Sequence, residues 1–164
     1  LQKVSHFGSK YYTSRYEGPN RKTLILTDLL CYQRDRDISL YFCQLVIDNS
    51  EDKNPVDKQN HSVLHNIAMV DNATMYQMIM GKNTDINPKH VRFGNTPLHV
   101  AAKYNHFEVY KVIVNGLSVE DWNPKDKYGE TPYDIAKTKG FKKICELFES
   151  AHPKQMKNKK RRLK

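Results

Sequence analysis

Any chemistry carried by this chain would have to come from its three cysteines, its seven histidines or paired carboxylates. Cys31, Cys43 and Cys145 form no Cys-x-x-Cys pair and are odd in number, which removes the usual redox motif and a closed disulfide framework. His61 and His65 stand at i and i+4, a spacing that can place two imidazoles on one helix face for a metal ion. No third and fourth ligand follow at a recognised spacing, so no metal is expected. The sequence has no phosphate-cradling glycine loop, no Gly-x-Ser-x-Gly elbow and no His-Glu-x-x-His. No two carboxylates are brought together by independent signals. Neither catalysis nor a cofactor is expected, and the histidines need another explanation.

Repetition supplies it. Ser62-Val63-Leu64-His65-Asn66-Ile67-Ala68, Thr96-Pro97-Leu98-His99-Val100-Ala101-Ala102 and Thr131-Pro132-Tyr133-Asp134-Ile135-Ala136-Lys137 begin 34 and then 35 residues apart. Fourteen residues after each start come Tyr76, Tyr110 and Cys145, each opening a second apolar stretch. Asn54-Pro55, Asn87-Pro88 and Asn123-Pro124 recur as the turn after each pair. A degraded copy lies upstream, with Thr23 to Leu29 and Cys43 to Ile47 spaced by 20 residues, which implies an insertion of six around Cys31 to Asp37. A period in this range marks stacked helical units, each too small to bury its own apolar face and so hiding it against its neighbours. Cys43 and Cys145 occupy equivalent helix positions, where a cysteine acts as a small apolar core residue.

Local signals agree with this reading. Thr96 and Thr131 suit an N-cap, and Pro97 and Pro132 suit the first helical position, where no N–H is needed. Gly94 and Gly129 fit a positive φ in the tight turn before each helix. Asn60 stands where that glycine belongs, and Asn tolerates the left-handed region better than most residues. Ala101 and Ala102 are small enough to let a neighbouring helix approach closely.

Gly94-Asn95-Thr96-Pro97-Leu98-His99-Val100-Ala101-Ala102-Lys103-Tyr104-Asn105-His106 resembles an ankyrin repeat, and the likeness covers roughly Gly18 to Ser150. The resemblance implies an all-α, ankyrin-repeat solenoid of stacked helix pairs joined by short β-hairpin-like turns. It further implies an interior ladder of histidine hydrogen bonds, intact at His65 and His99 and lost where Asp134 and Leu26 replace the histidine. It also implies a protein-protein interaction module with a concave binding face. Carried over position by position, the hairpin tips are Lys58, Gln59 and His61, then Arg92, Phe93 and Asn95, then Lys127, Tyr128 and Glu130. The exposed ends of the first helices are Met69 and Val70, Lys103 and Tyr104, and Thr138 and Lys139. Met69, Arg92, Phe93, Lys103, Tyr104, Lys127 and Tyr128 are the partner-binding candidates, aromatic anchors within a polar rim. Phe93 and Tyr128 are expected to be exposed enough that their removal weakens binding rather than folding. Val70 and Tyr104 have the alternative of packing as core beneath the hairpins. Trp122, in a loop two residues longer than its counterpart, is either a partner contact or a pin against the stack. An inhibitor-of-kappa-B-like regulator of a transcription factor, or the interaction segment of a larger enzyme or channel, are alternative settings for the same module.

The net charge of +9 looks like a nucleic-acid signal until it is divided. Lys154 to Lys164 holds seven positive charges and no acid, and Leu1 to Lys22 holds a net four, which leaves −2 for Thr23 to Pro153. A near-neutral stack makes nucleic acid an unlikely ligand for the repeats. The expected organisation is an N-terminal extension over residues 1–17, a domain of about four repeats over 18–153, and a basic tail over 154–164 expected to be disordered. Within that tail Lys159, Lys160, Arg161 and Arg162 resemble a single-cluster nuclear import signal read by an import carrier. Salt-sensitive contact with nucleic acid, adhesion to anionic lipid and an inert solvated end are the other readings of the same residues. No apolar run is long enough to span a membrane and the start lacks a secretory core segment, so a cytoplasmic or nuclear location is expected. A start without Met is compatible with an excerpt of a longer protein.

Overall fold

The computed structural model describes Val56, residues 59–81 and residues 85–152. The degraded upstream copy, Lys58, Cys31, Cys43 and the basic tail lie outside the described residues. Three helix pairs follow one another: α1 (Val63–Met69) with α2 (Ala73–Met80), α3 (Pro97–Tyr104) with α4 (Phe107–Gly116), and α5 (Pro132–Thr138) with α6 (Lys142–Ala151). A 3-10 turn at Val119–Trp122 precedes the last pair. Among the described residues there is no strand, only an isolated antiparallel bridge between Val56 and Ser62. The fold is all-α.

Each pair packs on the next in two layers. The first helices α1, α3 and α5 form an inner layer, each touching the next, and α2, α4 and α6 form an outer layer in the same manner. Between the layers lies a continuous core in which Leu64, Ile67, Leu98, Ala101, Ala102, Tyr110, Ile113, Ala136, Ile144 and Phe148 are essentially inaccessible. Ala101 and Ala102 are wholly buried, as close helix approach requires. Tyr76 and Tyr110 fill equivalent core positions, and Cys145, their third counterpart, is half-buried against the same core. Burial raises the Cys145 thiol pKa, with Glu149 adding to the effect, so the group is held as the unreactive thiol.

The helices start and stop where local chemistry dictates. Ser62, Thr96 and Thr131 are N-caps, with Pro97 and Pro132 at the first helical position. The recurrent Asn-Pro turn finds its reason here. Asn87 Oδ1 accepts from Leu98 N–H at 3.1 Å and Asn123 Oδ1 from Tyr133 N–H at 3.3 Å, satisfying donors that the first turn leaves free. The turn within each pair also repeats, because Asp71, Asn105 and Gly140 all have positive φ at the same repeat position. That register escapes a sequence reading, since three different residue types fill it. Before the inner helices, Asn60, Gly94 and Gly129 have φ of 65°, 71° and 79°, as their residue types lead one to expect.

Trp122 is 8% exposed and its ring meets His152 edge-on at 5.7 Å, while His152 stacks on Phe148 at 4.1 Å. Trp122 is therefore a pin that holds the long loop against the end of α6.

Candidate functional site

The site begins with three hairpins standing on three inner helices. Adjacent hairpins are tied by histidines buried at their base. Ser62 and Thr96 each donate a backbone N–H to the Nδ1 of the histidine three residues on, at 3.3 and 3.1 Å. Nδ1 is thereby an acceptor, which puts the ring proton on Nε2. His65 Nε2 donates forward to the Asn95 carbonyl at 3.1 Å, and His99 Nε2 to the Glu130 carbonyl at 3.2 Å. The histidine ladder is present at both expected positions. Asp134 instead accepts from the Thr131 hydroxyl at 2.7 Å, a contact within its own repeat.

His90 is the residue that sequence reasoning passed over. It is 2% exposed, its Nδ1 accepts from Arg92 N–H at 3.1 Å and Phe93 N–H at 3.3 Å, and its Nε2 donates to the Gln59 carbonyl at 2.9 Å. One imidazole thus closes its own hairpin and reaches back to the preceding one. In the third hairpin Asp126 plays the first role, accepting from Tyr128 N–H and Glu130 N–H at 2.8 and 2.9 Å. Asp126 lies three residues before its glycine, whereas His90 lies four before Gly94, so the middle hairpin is one residue longer. That extra residue was the available signal. The rings of His61, His65 and His90 approach within 6.0 Å, yet the nitrogens of His65 and His90 are engaged with backbone groups and, among the described residues, no group is arranged to hold a metal ion.

Between hairpins and inner helices runs a cleft of about 520 Å³. Met69, Phe93, Lys103, Tyr104 and Tyr128 line it, so five of the seven partner-binding candidates come together from three successive repeats. Arg92 and Lys127 do not line it. The Arg92 guanidinium lies 5.2 Å from the Phe93 ring centre, and Lys127 Nζ donates to the Val91 carbonyl at 2.9 Å, a link from the third hairpin to the second. Val70 and Tyr104 are 40% and 49% exposed, which rules out a core role for either. Tyr128 is 74% exposed. Phe93 is 39% exposed, and its ring centre sits 5.0 Å from that of His90, so the ring is partly packed within its own hairpin. His99, Asn95 and Ile135 floor the cleft, and Asp126, Glu130, Lys103 and Lys139 edge it. Burial lowers the His99 pKa, outweighing the hydrogen bond to the Glu130 carbonyl that raises it. The floor is thus uncharged, with the charged side chains at the edges.

Residues 82–136 match the family model described as ankyrin repeats (many copies). This match identifies residues 82–136 as ankyrin repeats, and the two-layer stack continues on either side of them; ankyrin repeats are protein-interaction modules. Among curated proteins the chain is similar to Alpha-latrotoxin-Lhe1a of Latrodectus hesperus, 29% identical over 99 residues that make up 60% of this chain. It is equally similar to Alpha-latrotoxin-Lt1a of Latrodectus tredecimguttatus, again 29% identical over 99 residues. The chain spans about 7% of the length of each of these relatives.

Proposed function

We propose that this chain binds a segment of a partner protein in the cleft between its hairpin tips and inner helices. The observation that carries the reading is the convergence of Met69, Phe93, Tyr104 and Tyr128 on one cleft while all four keep substantial exposed area. Packing gives Tyr128 and Tyr104 no reason to be large and apolar. Aromatic side chains at the centre of a polar rim are the groups that supply most of the energy of a protein interface. His99, at the base of the cleft, is engaged at both nitrogens and kept neutral by burial, so its ring ties hairpins together rather than serving a ligand.

Site-specific photo-cross-linking tests this. A cross-linking amino acid at Tyr128 should trap a protein partner in cell extract, and the same group at Met78, exposed on the outer helix α2, should not. Equal trapping at both positions, or trapping at Met78 alone, would overturn the cleft as the binding face. For the tail, we propose that Lys159 to Arg162 direct nuclear import, so that the module works in nucleus and cytoplasm.

A further inference from the structure

The inner helices end in a graded way. At the turn closing each inner helix stand Asp71 in the first described repeat, Lys103 in the second, and Lys137 and Lys139 in the third. Lys142 and Lys143 follow at once, so the turn joining α5 to α6 presents four lysines in seven residues, all exposed. Lys103 and Lys139 also line the cleft, which makes this cationic surface continuous with it. Apolar side chains, Met69, Phe93, Val100, Tyr104, Tyr128 and Ile135, line the cleft along its whole length, whereas its first-repeat end, with His61 and Met69, carries no lysine.

Lys103 and Lys137 stand in the last turn of their helices, where a cation is favoured, but the last two lysines of the turn sit against the electrostatics of their own helix. Lys142 and Lys143 occupy the first turn of α6, which has no acidic residue and no side-chain cap, whereas α4 places Glu108 at the equivalent point. The positive end of a helix dipole disfavours cations there. Glu146 lies one turn further along α6, and the Glu149 carboxylate accepts from the Tyr133 hydroxyl at 2.7 Å. The ammonium groups of Lys137, Lys143 and Lys103 lie 5.8, 5.8 and 5.6 Å from the ring centres of Tyr133, Phe107 and Tyr104. Those contacts orient the lysines and leave their charge exposed.

We infer that the occupant of the cleft is a peptide segment of a partner protein that carries apolar anchors along the cleft and, at one end, a run of carboxylates lying over Lys103, Lys139 and the Lys137–Lys143 turn. The inference rests on the proposed cleft function and adds the chemistry and direction of the ligand. A polyanion such as nucleic acid fits less well, because Asp126 and Glu130 edge the same cleft and would repel a phosphate backbone.

Selection from a random-peptide display library over the intact chain tests it, with Tyr128→Ala and a Lys139→Glu, Lys142→Glu double variant beside it. All three positions are exposed, so the variants should keep the melting temperature of the parent within a few degrees. Enriched peptides should carry aromatic or aliphatic residues together with Asp or Glu, the acidic residues gathered at one end. Their affinity should fall about tenfold in the lysine double variant and ease with added salt, as exposed charge pairs do. Enriched peptides without acidic bias, bound equally by the double variant yet lost in Tyr128→Ala, would overturn this inference and leave the cleft standing. Selection indifferent to both variants, or no enrichment at all, would remove both. Binding of a single-stranded oligonucleotide that the lysine variant abolishes would show that the lysines serve phosphate and would equally overturn it.

Discussion

Phe93 and Tyr128 occupy matching hairpin tips, but the structure assigns them different work, and truncation of each to alanine separates the two. A fully hidden phenylalanine or tyrosine removes roughly 200 Å² from water. With Phe93 39% exposed, about three-fifths of its ring is covered by His90 and its neighbours. At about 25 cal/mol per Å², corrected for the methyl that remains and for a compact unfolded chain, Phe93→Ala should cost ~2 kcal/mol of stability. Tyr128, 74% exposed, covers only about a quarter of its ring, so Tyr128→Ala should cost under about 1 kcal/mol. For a domain of this size 1 kcal/mol moves the melting temperature by roughly 4 °C. Thermal melting followed by circular dichroism should therefore drop by ~8 °C for Phe93→Ala and by less than about 4 °C for Tyr128→Ala. For a selected peptide or a captured partner, Tyr128→Ala should nevertheless weaken binding by ~2 kcal/mol, about thirtyfold. A Tyr128 variant that melts as low as the Phe93 variant would show that the tyrosine ring is packed, and the anchor assignment would fail with it.

Three further outcomes are expected. His99 has a lowered pKa, so it contributes stability present above its ordinary value near 6.5 and lost as pH falls through that value towards the folded one. Melting temperature should accordingly fall between about pH 7 and about pH 5, and His99→Gln, less stable at neutral pH, should lose less over that interval. Tyr76 and Tyr110 are repeat equivalents, but the Tyr76 hydroxyl donates to the Ile86 carbonyl at 2.7 Å while the buried Tyr110 hydroxyl has no partner. Tyr76→Phe should cost ~1 kcal/mol by denaturant titration, and Tyr110→Phe should be neutral or stabilising. Replacing Lys159, Lys160, Arg161 and Arg162 by alanine should leave melting unchanged and shift a fluorescent fusion from nucleus to cytosol; an unaltered distribution would remove the import reading.

What could be read from the sequence was what depends on a few adjacent residues. Thr96-Pro97 and Thr131-Pro132 announce helix starts because cap and missing N–H are properties of the dipeptide itself. Gly94 and Gly129 announce turns because few other residues take a positive φ without strain. The cleft positions of Met69, Phe93, Tyr104 and Tyr128 followed from repeat register. His90 did not follow, because its part depends on a carbonyl 31 residues away and on one extra hairpin residue. Lys127 looked like a free tip charge for a similar reason, since its partner carbonyl belongs to Val91, 36 residues earlier. Trp122 was ambiguous until His152 was placed beside it.

The histidine ladder also has a direction. His65 and His99 each reach from an inner helix to the hairpin of the unit that follows, and Asp134 turns to its own threonine instead. Every hairpin so bound is thus held from behind, which gives the array a grammar in which a unit licenses its successor. A duplicate of the middle repeat inserted after itself would inherit a donor at both junctions, whereas one appended after the Asp134 unit would find no imidazole offered to its hairpin. Loss of the leading unit takes the imidazole from the hairpin that comes next, whereas loss of the trailing unit takes no imidazole from the hairpin before it, only the two Lys127 bonds to the Val91 and Phe93 carbonyls. Amide exchange should show that asymmetry, with hairpin 90–95 exchanging sooner when α1 is weakened than hairpin 126–130 does when α6 is weakened.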